Sequence, residues 1–350
     1  MRSLRAVPSA PSVPSAPSLP AVLAGVGAAL VLTVAAALPA AADDHDGFTI
    51  EDPRIVESSG LAASRAHPGI YWTHNDQDKG AFLYAVDSRT GKTVATITMT
   101  GVGKPRDVEA ISVGGDGNIY VGDIGDNLNG TWSNVWVYKL PEPKTLKDQT
   151  VRATQYDVKY ADGARDAEAL MVHPKTGRVY IVSKNEDGGG LYEGPERMSA
   201  SGTNVFKRIS EIDLWVTDGA FSPDGEQLAL RGYFGGIWYA WKGAGEKPQR
   251  KGRLSVPLQR QGESVTYTLD GTTLMYGTEG ERSEVKPVEA PGGGSGDRSG
   301  GSSGGAGSGD GGGDSGAEGG FKTGAIVVGA VLLAAFGWKR LGKRSGTRRR

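Results

Sequence analysis

A short phrase recurs five times in this chain, and its spacing constrains the fold more than any other feature. It reads Ser59-Gly60-Leu61, Glu109-Ala110-Ile111, Glu168-Ala169-Leu170, Asp218-Gly219-Ala220 and Glu263-Ser264-Val265. The first residues follow one another at steps of 50, 59, 50 and 45, the period of propeller blades. Each phrase leads to a turn signal: Pro68-Gly69, Asp116-Gly117, Thr176-Gly177, Asp224-Gly225 or Asp270-Gly271. Such pairs supply the positive φ of tight hairpins.

An apolar run follows each turn: Ile70-Tyr71-Trp72, Ile119-Tyr120-Val121, Val179-Tyr180-Ile181, Leu228-Ala229-Leu230 and Leu274-Met275-Tyr276. These runs are too short for helices, and most are rich in β-branched and aromatic residues, so they read as strands. A third run, built on Leu83-Tyr84, Val137-Tyr138, Leu191-Tyr192 or Ile237-Trp238, follows in four repeats. A more polar fourth strand fits at 92–98, 151–160, 204–212 and 252–257. The expected fold is therefore all-β, a β-propeller of five four-stranded blades. The fifth repeat is incomplete before Pro291, and the strand-like segment 48–56 precedes the first. That segment is expected to supply the missing outer strand and close the ring, because soluble proteins avoid unpaired edges.

The two ends read as addresses. Residues 1–42 carry Arg2 and Arg5, an apolar run over 21–38, and Ala40-Ala41-Ala42 before Asp43 and Asp44. That is the pattern of a secretory signal peptide. Residues 43–290 form the expected propeller ectodomain. A Gly/Ser/Asp-rich flexible tether follows over 291–320, then a transmembrane helix over 321–338 and a basic tail over 339–350. Basic residues directly after an apolar span stay in the cytoplasm, so the expected protein is single-pass in the cell membrane with its propeller extracellular. The same position makes the basic cluster topogenic rather than nucleic-acid binding. With no cysteine in the chain, the domain must be stabilised by burial alone, and a monomer is expected.

Propeller geometry sends the repeated phrase to the central channel. Ser59, Glu109, Glu168, Asp218 and Glu263 would form a ring of oxygen donors whose charges repel unless a cation joins them. Ca²⁺ accepts 6–8 oxygens in loose geometry, whereas zinc is disfavoured by the absence of His and Cys from the set. The alternative is that these carboxylates accept hydrogen bonds from backbone amides of neighbouring blades. Loops after the second strands share that face, bringing His74, Asn75, Asp76 and Asp78, then Asp123, Asp126 and Asn127, then Lys184, Asn185 and Glu186, then Arg231 and Tyr233, then Glu279. Arg106 and Arg165 lie three residues before ring glutamates and are expected at the same rim. Cations around a metal-filled mouth would suit an anionic small molecule or another extracellular ligand. If the site is hydrolytic, His74 or Asp76 is the candidate catalytic base. Asp116-Gly117-Asn118 starts like a calcium loop but has no closing glutamate, and Asn129-Gly130-Thr131 is a glycosylation sequon by pattern only.

The order hydroxyl, Glu, Glu, variable, Glu on five inner strands resembles the five-bladed calcium-dependent apyrases, the soluble calcium-activated nucleotidases. That resemblance implies Ser59, Glu109, Glu168 and Glu263 as calcium ligands; Asp218 departs from the serine the family carries there. The phrases Asp107-Val108-Glu109-Ala110 and Tyr120-Val121-Gly122-Asp123-Ile124-Gly125-Asp126-Asn127 look like those of uncharacterised secreted actinobacterial propellers. The functions to be distinguished are a surface-tethered propeller presenting a calcium-centred face to a ligand, a metal-dependent hydrolase of phosphate anhydrides or esters, and a protein–protein interaction disc.

Overall fold

A computed structural model of the chain describes residues 46–76, 80–128 and 130–292. The expected signal peptide, membrane helix and basic tail lie outside the described residues, as do the tether beyond Gly292, Asp78 and Asn129 of the sequon. Every regular element among the described residues is a strand.

The strands form five antiparallel meanders. After β1 (Phe48–Thr49), the first contains β2 (Leu61–Ala63), β3 (Ile70–Thr73), β4 (Phe82–Asp87) and β5 (Lys92–Thr100). The second contains β6 (Val108–Val113), β7 (Asn118–Asp123), β8 (Val135–Pro141) and, beyond β9 (Gln149–Arg152), β10 (Thr154–Tyr160). The third is β11 (Ala167–Val172), β12 (Val179–Ser183), β13 (Gly189–Glu193) and β14 (Thr203–Ile212). The fourth is β15 (Val216–Phe221), β16 (Gln227–Gly232), β17 (Gly235–Ala240) and β18 (Gln249–Leu254). The fifth is β19 (Gly262–Tyr267), β20 (Thr273–Thr278), β21 (Glu284–Glu289) and β1, which pairs antiparallel as Phe48↔Val285. The first strands touch in the cyclic order β2, β6, β11, β15, β19 and back to β2. The chain is an all-β propeller.

Strand alternation explains why the second strands read as unbroken apolar runs. Successive side chains point to opposite faces, and here each face meets a neighbouring meander. In β7, Ile119 and Val121 enter the core shared with the first meander, while Tyr120 enters the core shared with the third. Ala169 and Tyr180 join Leu228 and Leu230 between the third and fourth. Ala229 and Leu254 join Val265 and Tyr276 between the fourth and fifth. The circle closes where Met275 and Val285 pack on Leu61, Tyr71, Ile50 and Ile55.

The segment expected as one strand over 151–160 is two. The chain leaves the edge of the first meander at Ala153, whose N–H donates to the Thr100 carbonyl. Before that point β9 runs parallel to β5; after it β10 pairs antiparallel with β8 and parallel with β14. Three sheet edges are covered in this way, the hazard that unpaired edges present to soluble proteins. The closing strand is also shorter than 48–56: only Phe48–Thr49 pairs, and Ile50 and Ile55 are buried as core residues. In the fourth meander the outer strand is Gln249–Leu254 rather than 252–257.

Candidate cation site at the channel mouth

Four of the five inner strands enter the sheet through an irregularity. The ladder skips one residue between Val108 and Ala110, Ala167 and Ala169, Val216 and Asp218, and Gly262 and Ser264. A bulged residue is left out of the ladder and can be re-aimed. Those residues are Glu109, Glu168, Thr217 and Glu263. In the first meander Leu61 pairs with Thr73, so Gly60 occupies the matching place. The structure thus aligns three of the five ring residues and sets two one position away. Ser59 comes one residue early, and its hydroxyl donates to the Val108 carbonyl at 3.5 Å. Asp218 comes one residue late and crosslinks two meanders, accepting from the Gly219 amide at 2.7 Å and the Val265 amide at 2.8 Å. It takes the amide-bonded alternative, although burial still pushes its carboxyl well above the usual range.

Between the first two meanders, three buried carboxylates converge. One oxygen from each of Asp76, Asp107 and Glu109 lies within 4.8 Å of the others. The loops that deliver them are built for it. Asn75 accepts from the Val56 and Glu57 amides at 2.9 and 3.1 Å and donates to the Arg54 carbonyl, fixing the turn that carries Asp76. Asp123 accepts from the amides of Arg106 and Asp107 at 3.0 and 2.9 Å and from the Tyr138 hydroxyl. Asp126 holds the next loop by accepting from Thr131 Oγ1 and the Trp132 amide. Asn127 Nδ2 donates to Asp107 Oδ2 at 2.8 Å. Gly125 wraps the cluster so closely that a Cβ there would lie 2.6 Å from Glu109 Oε1 and 2.8 Å from Asp107 Oδ2. Burial, reinforced by the charges of Asp76, Glu168 and Asp107, pushes Glu109 well above the ordinary carboxylate range. An all-oxygen donor set of this charge matches a hard divalent cation.

Across the mouth the carboxylates meet a lysine instead. Lys184, directly after β12, donates from Nζ to Glu168 Oε1 at 2.5 Å and to the Tyr233 hydroxyl at 3.2 Å. Tyr233 and Lys184 both lie near enough to Glu263 to hold its pKa down against burial. Burial alone would lower the Lys184 pKa; Glu168, Tyr233, Glu263 and Glu109 outweigh it and keep the ammonium charged. Glu263 is pushed up to about 7, chiefly by burial, with Lys184 opposing and Glu279 adding to the shift. Gln261, at φ 47°, donates to Glu279 from a left-handed backbone that is uncommon for a residue with a side chain.

The remaining expected residues are engaged elsewhere. The Arg106 guanidinium stacks 4.2 Å from the Trp132 ring centre and 3.6 Å from that of Trp136, and donates to the Asn134 carbonyl. Arg165 pairs with Asp162 at 2.7 Å and lies over Tyr192. Arg231 is fully buried, donating to the Ser264 and Gly277 carbonyls at 2.7 Å and to Gln259 at 3.0 Å. Glu186 is exposed on the loop after β12. His74 is buried at 1 % exposure, its Nδ1 lies 3.2 Å from the Asn75 carbonyl, and burial pushes its pKa down to about 4. A base must reach the proton that it removes, and this imidazole is enclosed. Asp107, Thr217 and Gly125 were not among the expected site residues. Counting back from the hairpin would have found Thr217: it precedes Asp224 by seven residues, as Glu109 precedes Asp116.

No family model and no curated protein matches the chain. Solved structures do. Hydrazine synthase of Kuenenia stuttgartiensis is 13 % identical with a TM-score of 0.36, covering 63 % of this chain and 61 % of its own. A putative 6-phosphogluconolactonase of Bacteroides uniformis is 12 % identical with a TM-score of 0.37, covering 67 % and 68 %. An auxiliary nutrient binding protein of Bacteroides thetaiotaomicron is 11 % identical with a TM-score of 0.38, covering 67 % and 57 %. The chain thus spans about three fifths of the hydrazine synthase chain, and no chemistry transfers at this level of similarity.

Proposed function

We propose that this chain is a cell-surface propeller, anchored by one C-terminal membrane helix, whose mouth uses Ca²⁺ to bind an extracellular ligand. Reading each meander as one blade makes the propeller five-bladed. The observation that carries the proposal is the convergence of Asp76, Asp107 and Glu109, all buried, within 4.8 Å. Three carboxylates so placed must share protons or share a cation. A calcium ion satisfies all three and retains positions for ligand oxygens. The glutamate order that resembles calcium-dependent apyrases supports the choice of calcium, with the ion drawn to Glu109 rather than centred on the ring. Arg106, Arg165, Arg231 and Lys184 all have partners, so attraction for a carboxylate or phosphate group falls chiefly to the cation. The described domain ends beside the Asp270-Gly271 hairpin, where the Ala290 amide donates to Thr272, on the face opposite the mouth.

Adding Ca²⁺ to chelator-treated protein tests this reading. At about a hundredfold excess over the dissociation constant, binding to the folded state adds roughly 2.7 kcal/mol. Asp107→Asn should remove most of that gain. An unchanged melting temperature in the native protein would refute the proposal.

A further inference from the structure

We infer that Lys184 sets the cation stoichiometry of the mouth: its ammonium fills, between Glu168 and Glu263, the place that a second divalent cation would otherwise take. The inner-strand bulges carry three carboxylates, Glu109, Glu168 and Glu263, and no other charge, because Gly60 and Thr217 hold the two remaining places. Glu109 turns to the Asp76–Asp107 corner. Glu168 and Glu263 are left with Lys184 between them, and the buried Arg231 adds its charge on the Glu263 side. Lys184 bonds the first directly at 2.5 Å, donates to the Tyr233 hydroxyl at 3.2 Å, and acts on the second through its charge. Arg231 cannot substitute, since its two NH groups are committed to backbone carbonyls and Gln259.

An ammonium has three donors and no lone pair, so it satisfies carboxylates as a cation does but offers nothing to a metal. A divalent ion set beside it would meet like charge at contact range and compete for the same oxygens. The electrostatic surroundings keep Lys184 protonated: Glu168, Tyr233, Glu263 and Glu109 all favour its charged form. The consequence is one divalent ion held off the axis, at the corner of the first two meanders. This inference rests on the calcium reading for the identity of that corner, and the test separates the two.

The measurement is the number of Ca²⁺ ions bound per purified full-length chain, by equilibrium dialysis at saturating free Ca²⁺. The expected count is one for the native protein, one for Lys184→Arg and two for Lys184→Met. Lys184→Met combined with Asp107→Asn should return to one. A folded Lys184→Met that binds no more calcium than the native protein overturns the inference, as does a native count of two. A native count of zero sinks the calcium reading, yet a rise to one in Lys184→Met still supports the role of the lysine. Should Lys184→Met unfold, millimolar Ca²⁺ should restore its circular dichroism, while Lys184→Met/Glu168→Gln should fold without calcium and bind the native number. Failure of calcium to restore the single variant, or failure of the double variant to fold, counts against the inference, because the lysine would then act through packing rather than charge.

Discussion

On the first two meanders, Asp76, Asp107 and Glu109 crowd one another beneath Gly125; on the third to fifth, the ammonium of Lys184 bonds Glu168 and Tyr233 and acts on Glu263 through its charge. The inner strands present the same bulged glutamate on both sides, so the difference lies in the loop after the second strand. After β7 that loop brings a glycine and an asparagine that let Asp107 approach; after β12 its first residue is a lysine. A repeated scaffold supplies the acid, and the unrepeated loop decides how its charge is balanced. On one side a lysine ammonium sits against the glutamate, whereas on the other three carboxylates face one another.

The comparison makes predictions of opposite sign, measured by chemical denaturation in chelator. Lys184→Gln should cost about 3–5 kcal/mol, the loss expected when one partner of a buried ion pair is removed. A loss below about 1 kcal/mol would mean that water already balances Glu168. The next effect is pH. Glu263 has a folded pKa of about 7 against 4.5 when unfolded, so it takes up a proton on folding. Its stabilising contribution is complete below 4.5 and disappears as pH rises through 7, a change of roughly 3 kcal/mol at most. Glu263→Gln should flatten that stretch of the pH profile; an unchanged slope assigns it to another group. Gly125→Ala should cost about 1–3 kcal/mol through overpacking against Glu109 and Asp107, while Gly235→Ala, with nothing within 4 Å of its Cβ, should change little. Smallest, Asp107→Asn should stabilise the calcium-free protein, on the order of 1 kcal/mol, by relieving repulsion. Destabilisation there would show that the corner is already compensated without metal.

Much of this could be read in the sequence because both faces of each second strand are buried, which writes the strands as apolar runs between glycine turns. Glu109, Glu168 and Glu263 were visible as one column for the same reason. Ser59 and Asp218 were placed one residue away from their structural columns because a bulge adds a residue that no propensity reveals. For Asp218 the turn distance carried the missing register: Thr217, not Asp218, stands seven residues before its hairpin. Arg231 looked like a rim cation because it is charged, yet it continues the buried run Leu228-Ala229-Leu230. Gly262 makes its room, since a Cβ there would lie 1.8 Å from Arg231 Nη2. His74 follows Trp72 and Thr73 into the interior in the same way. Asp107 acquires its role only when the loop after β7 folds over it, a contact across twenty residues that spacing alone does not encode.

The most direct test is where a cation sits. Anomalous diffraction from crystals grown with Mn²⁺ or Ca²⁺ locates the ion independently of any activity. The account predicts a single peak coordinated by Asp76, Asp107 and Glu109, displaced from the channel axis, with Lys184 still bonded to Glu168. A peak between Glu168 and Glu263, or none at the Asp76 corner at saturating metal, would contradict it.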